Sequence, residues 1–138
     1  MIDRTARERA LELLERWHAG TLTNLELEDT WPESNDRGVR AVGDRLWCFY
    51  SDFPKATSDL SSFGSEDKDL FDRCMKFLQS EAEYGWPDFD FQREGLRPIE
   101  TLFRGERTKV QRWGEFTRAG DIAWWPFLDQ ADSERHRR

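Results

Sequence analysis

The chain has 138 residues, of which 36% are charged and 14% aromatic, and its net charge is −7. That length makes one domain with room to bury a core, the ring content excludes a disordered chain, and the acidic balance argues against nucleic acid as a partner. No apolar run reaches the roughly 20 residues of a membrane span, and "MIDRTARERALELL" has no signal-peptide apolar core, so a cytoplasmic setting is expected.

Thr5 and Glu8 read as a capping box that opens a first helix. Ile2, Ala6, Ala10, Leu13, Leu14 and Trp17 then recur at helical spacing. Gly20 ends that helix in the left-handed conformation. A second capping box, Thr23 with Glu26, opens a short helix that must stop before Pro32, because the residue before a proline is pushed out of the α region. A third helix is predicted from Asn35 or Asp36 to Pro54, with Val39, Val42, Leu46, Phe49, Tyr50 and Phe53 as its apolar stripe and Trp47 widening it. Gly43 in mid-helix costs about 1 kcal/mol relative to Ala, and such a glycine allows another helix to come close.

Residues 55–64 read as a loop. Ser65, Glu66 and Asp67 open a fourth helix, which buries Leu70, Phe71, Cys74, Met75, Phe77 and Leu78 and frays near Glu83. Beyond Tyr84 the pattern is punctuated by Gly and Pro. A helical turn fits residues 99–104, a helix or short strand fits the stretch through Val110, Trp113 and Thr117, and "IAWWPFL" fits an extended segment. The expected fold is therefore mainly α: a four-helix core with an irregular C-terminal third that has room for a short β-hairpin. One domain covers residues 1–128, and residues 129–138 form a frayed tail.

Three Trp-Pro pairs stand out: Trp31-Pro32, Trp86-Pro87 and Trp125-Pro126. Proline biases the Trp before it toward extended backbone. From there the indole folds back over the core edge with its N–H near the surface. The pairs thus read first as stoppers at three exits from the core. The competing use is an aromatic patch that holds a partner, since Trp and Tyr are frequent interface hot spots. On that reading Tyr84, Trp86, Phe89 and Phe91 in one ring-rich segment must meet Trp124, Trp125 and Phe127 in another, and Asp88 and Asp90 form an acidic rim; Tyr84, Trp86 and Trp125 with the two acids are the residues expected to bind.

Catalytic patterns are sparse. His18 and His136 are the only histidines, and no zinc-ligand spacing, P-loop or dinucleotide fingerprint occurs. Cys48 and Cys74 form no C-x-x-C pair and read as buried structural residues. Asp88 and Asp90 have the D-x-D spacing of a hard-cation site, but a chain with 28 acids produces such spacings by chance. No catalytic residue, metal site or cofactor is assigned. The acids concentrate in residues 1–95, with 21 against 12 Lys and Arg, while residues 96–138 hold 7 against 9. A basic strip of Arg104, Arg107, Lys109, Arg112 and Arg118 fits a pairing with the acidic part of the same chain better than a phosphate site.

The stretches "GTLTNLELEDTWP", "AVGDRLWCFYSDF", "DRCMKFLQSEAEYGWP" and "GDIAWWPF" together resemble a group of short bacterial proteins of unassigned function, over about residues 11–128. The resemblance implies a bacterial origin and one compact domain, and it transfers no active-site residue. The expected function is a non-enzymatic protein-binding module, immunity- or adaptor-like, with an acidic, aromatic-rich surface that takes a basic protein. The alternative is a small carboxylate- or metal-dependent hydrolase working near the Trp-Pro segments.

Overall fold

In the computed structural model the described residues are 1–46, 65–89, 91 and 107–136, with the side chains of 107–110 excepted. Among them the chain is mainly helical: α1 (Arg4–His18), α2 (Asn24–Thr30), α3 (Arg37–Leu46), α4 (Ser65–Gln79), α5 (Arg107–Thr117) and α6 (Gln130–Arg135), with a 3-10 turn at Ile122–Trp124. The second half of the expected third helix, Cys48, the loop at 55–64, Asp90, the turn at 99–104 and Arg104 all lie outside the described residues.

Helix α1 packs against α2, α3 and α4, and α3 packs against α4. The apolar spacing of α1 explains its central place. Ala10, Leu13 and Leu14 are fully buried and Trp17 nearly so. Val39 and Val42 of α3 and Cys74, Phe77 and Leu78 of α4 complete that core without exposed surface. Burial pushes the Cys74 thiol up to about 12, as befits a small apolar filler.

Two helix ends differ from the sequence reading. Helix α1 starts ahead of Thr5, on Asp3, whose carboxylate accepts the Ala6 N–H at 3.0 Å. The Ser34 hydroxyl donates to the same carboxylate at 2.7 Å. A carboxylate with a tertiary donor is a stronger cap than an isolated threonine hydroxyl. Helix α4 stops at Gln79 instead of fraying toward Glu83, because the Ser80 hydroxyl donates back to the Phe77 carbonyl at 2.7 Å and accepts the Ala82 N–H at 3.1 Å. The end of α1 and the start of α2 agree with expectation. Thr23 and Glu26 form both halves of their capping box. Gly20 has φ 80°, and the N–H groups of Gly20 and Thr21 return to the carbonyls of Trp17 and Arg16, a Schellman stop.

The short hairpin for which the C-terminal third had room is not found among the described residues, none of which is in a strand. Residues 122–124 wind into a 3-10 turn because Asp121 caps them. Its side chain accepts the Ala123 N–H at 3.1 Å, and its carbonyl accepts the Trp124 N–H at 2.9 Å. The stretch expected to fray carries α6 instead. Asp129 caps it, and the buried Asp132 accepts the Leu128 N–H at 3.0 Å.

One charged pair lies inside the core. Arg7 occupies the apolar stripe of α1, one turn before Ala10, and is fully buried. Its guanidinium donates to Asp36 at 2.7 and 3.3 Å and to the carbonyls of Phe77, Ser80 and Ala82 at 3.3, 3.0 and 2.8 Å. Asp36 also accepts the N–H groups of Asp3 and Gly38, each at 3.0 Å. Burial alone would raise the Asp36 carboxyl. The Arg7 bonds and charge, together with these two backbone donors, outweigh it and hold the group below the usual carboxylate range. This cluster joins the start of α1, the start of α3 and the end of α4, and it sets how segment 80–89 leaves the core.

Candidate functional site

Segment 84–89 brings most of the predicted site residues onto one side of the molecule. The Trp86 indole N–H donates to the Phe127 carbonyl at 3.0 Å, and the Trp125 indole N–H donates to the Tyr84 hydroxyl at 3.1 Å. The Tyr84 and Trp125 rings meet edge to face, 6.2 Å apart. The two ring-rich segments therefore meet, as the partner reading required, but the meeting covers the rings. Trp86 has 0% exposure, Trp125 2% and Tyr84 8%. Phe77 lies 6.3 Å from Tyr84, Phe116 5.0 Å from Trp86 and Phe91 5.3 Å from Trp125 between ring centroids, and Phe127 packs on Phe77 at 5.5 Å. The Tyr84 hydroxyl is pushed above its ordinary value by burial, which outweighs the opposing Trp125 hydrogen bond.

The third Trp-Pro pair, Trp31-Pro32, lies at the exit of α2. Trp31 caps the end of α2, half-buried, and its indole N–H donates to the Val39 carbonyl at 3.1 Å. It fills the space left by Gly43, where a Cβ would come within 2.6 Å of the indole nitrogen. What comes close at that glycine is thus a ring from the α2 exit and not the helix that was expected. The Trp125-Pro126 peptide bond is cis.

What remains exposed is the rim. Asp88 projects outward with its side chain 84% exposed. Arg37, the first residue of α3, donates to Asp88 Oδ1 through Nε at 3.2 Å and Nη2 at 3.0 Å. The same guanidinium donates to the Trp86 carbonyl at 2.5 Å and lies 5.4 Å from the Tyr84 ring centroid. Between α3 and segment 84–89 runs a groove of about 310 Å³, lined by Arg37, Arg40, Ala41, Asp44, Asp88 and the rings of Tyr84 and Phe89. Phe89 is half-buried and held from beneath by Phe91, Trp113 and Phe116 at 5.2, 5.4 and 4.8 Å. The floor is consequently packed ring surface, and the walls carry two guanidiniums and two carboxylates.

Of the predicted site residues, Tyr84 and Asp88 line this groove, Trp86 and Trp125 support it from within, and Asp90 lies outside the described residues. Arg37 and Arg40 were missed. The available signal was their spacing: Arg37, Arg40 and Asp44 fall on the side of α3 opposite Val39, Val42 and Leu46. Among the described residues no group of three His, Cys, Asp or Glu is placed to hold a metal ion, and no helix is long and apolar enough to cross a membrane. Compared with known proteins, the chain matches no family model, no curated protein and no solved structure.

Proposed function

We propose that the chain is a non-enzymatic binding module, immunity- or adaptor-like, which holds a basic protein partner in the groove between α3 and segment 84–89. Its framework is the four helices α1–α4 packed around the rings, and its setting is the cytoplasm. The observation that carries this reading is the state of Asp88. Both Arg37 bonds fall on Oδ1, and among the described residues nothing donates to Oδ2. The carboxylate is fixed in direction and has one oxygen left for a partner's Lys or Arg, beside the Tyr84 and Phe89 rings over which the alkyl stem of that residue can lie. The net charge of −7 adds long-range attraction for a basic protein.

A single exposed ion pair is worth at most about 1 kcal/mol, so affinity must come from the groove as a whole and charge must govern the association rate. The test is affinity capture from cells of the source organism with wild type and Asp88→Lys side by side, at low and high salt. The expected result is one stoichiometric basic protein held by the wild type at low salt, released by high salt and not held by Asp88→Lys. Equal capture by the variant, or no stoichiometric partner at low salt, would overturn the reading.

A further inference from the structure

A second cleft, about 370 Å³, opens between the end of α4, the 3-10 turn and α6, and shares no lining residue with the groove beside α3. Phe127 and Trp124 form its apolar wall. Phe127 is buried against Phe77, whereas Trp124 is half-buried. The indoles of Trp17, Trp31, Trp86 and Trp125 all donate a hydrogen bond, as covered indoles generally do. Trp124 has no acceptor for its N–H and no ring neighbour among the described residues. Trp113 also lacks an acceptor there, but it stacks on Phe116 at 5.7 Å.

The polar lining of the cleft is Lys76, Gln79, Ser80, Ser133, Glu134 and His136, of which Ser80 already donates to the Phe77 carbonyl and His136 lies against the Asp132 carbonyl. The Lys76 ammonium, the Gln79 carboxamide and the Ser133 hydroxyl line the same cleft, and among the described residues none of them has an acceptor. Glu134 is the one acid of the described lining, and its carboxylate accepts the Gln130 amide at 3.1 Å. A helix C-terminus ordinarily repels an anion. Here the terminal carbonyls of α4 are already engaged: Arg7 donates to those of Phe77 and Ser80, and Arg4 to those of Leu78 and Ser80. The cleft therefore combines a flat ring, a cation and several donors, at a volume within the range of small-molecule sites.

We propose that this cleft binds a small aromatic carboxylate, with the ring against Trp124 and Phe127 and the carboxylate taken by Lys76, the Trp124 indole N–H and the Ser133 hydroxyl. The proposal is independent of the protein-binding groove. It is tested by titrating the isotope-labelled full chain with naphthoate and following the Trp124 indole N–H resonance, assigned by its loss in Trp124→Phe. The expected result is a saturable shift of that resonance. Lys76→Gln should weaken the apparent affinity about tenfold or more, as should replacing naphthoate by the neutral naphthamide. Lys76 is exposed on α4, so its replacement leaves the fold in place. A resonance that does not move up to the solubility limit overturns the proposal. So does binding by Lys76→Gln, or of naphthamide, that equals wild type with naphthoate.

Discussion

Arg7 shows how much one side chain can specify. A buried guanidinium is costly unless every donor is met and its charge is paired, and here Asp36 and three carbonyls do both. Arg7→Met or Asp36→Asn alone strands the other charge and is expected to cost about 3–5 kcal/mol in urea unfolding. The double variant should cost clearly less than the sum, because neither residue is then left as an unpaired ion. Additive losses would refute a coupled pair. Trp86 tests a different term. Its ring is fully covered, and Phe127 holds its N–H, so Trp86→Ala should destabilise by about 3–5 kcal/mol. A variant melting like the wild type would show that the ring does not seal the core.

At the level of elements, Gly43 sets two effects against each other. Alanine there gains about 1 kcal/mol in helix propensity. It also drives a methyl group to 2.6 Å from the indole of Trp31, which the hydrogen bond to Val39 holds in place, and overpacking of that kind costs about 1–3 kcal/mol. Gly43→Ala is therefore expected to lower the melting temperature, and the same change made on Trp31→Ala should raise it. A rise in both backgrounds would mean that Trp31 moves aside freely. The helices were legible in the sequence because amphipathic spacing and caps are local: α1, α2 and the start of α4 follow directly from residues 5–20, 23–30 and 65–78. The start of α1 and the end of α4 were not, because Asp3 takes a donor from Ser34 and α4 is closed by Ser80 together with arginines from α1. Those partners are far apart in sequence. The 3-10 turn was misread as extended because Trp and Ile favour strands, while the deciding Asp121 cap costs only one side chain.

For the whole molecule, acid is the condition that probes the joint between α1, α3 and α4. Asp3 and Asp36 both have pKa values lowered in the fold; at Asp3 the Ala6 N–H is the largest cause and the Ser34 hydroxyl the next. As pH falls below about 4, where free carboxyls protonate, the unfolded chain takes up protons before these two groups do. The stability they contribute is present above that pH and lost below it. Wild type and Asp36→Asn should differ most near neutrality and converge toward pH 3 in urea titrations; a gap independent of pH would remove Asp36 from the acid response. At this scale the candidate site was half legible. Composition pointed to rings and acids near 84–90, but whether a ring faces in or out depends on what covers it. The covering residues, Phe116, Phe127 and Arg37, come from elements whose packing no local pattern encodes.

The partners of Arg7 also fix a moment in the life of the chain. They lie at Asp36, Phe77, Ser80 and Ala82, so a nascent chain emerging from the ribosome carries an amphipathic α1 with a cation in its apolar face and nowhere to put it. Synthesis from Asp36 to Ala82 takes several seconds at roughly 5–20 residues per second. Until Ala82 is free, α1 has no complete seat, and its apolar stripe stays open to solvent and to chaperones. Maturation of the N-terminal helices thus waits on the middle of the chain, and a product released before residue 82 lacks the acceptors that close them.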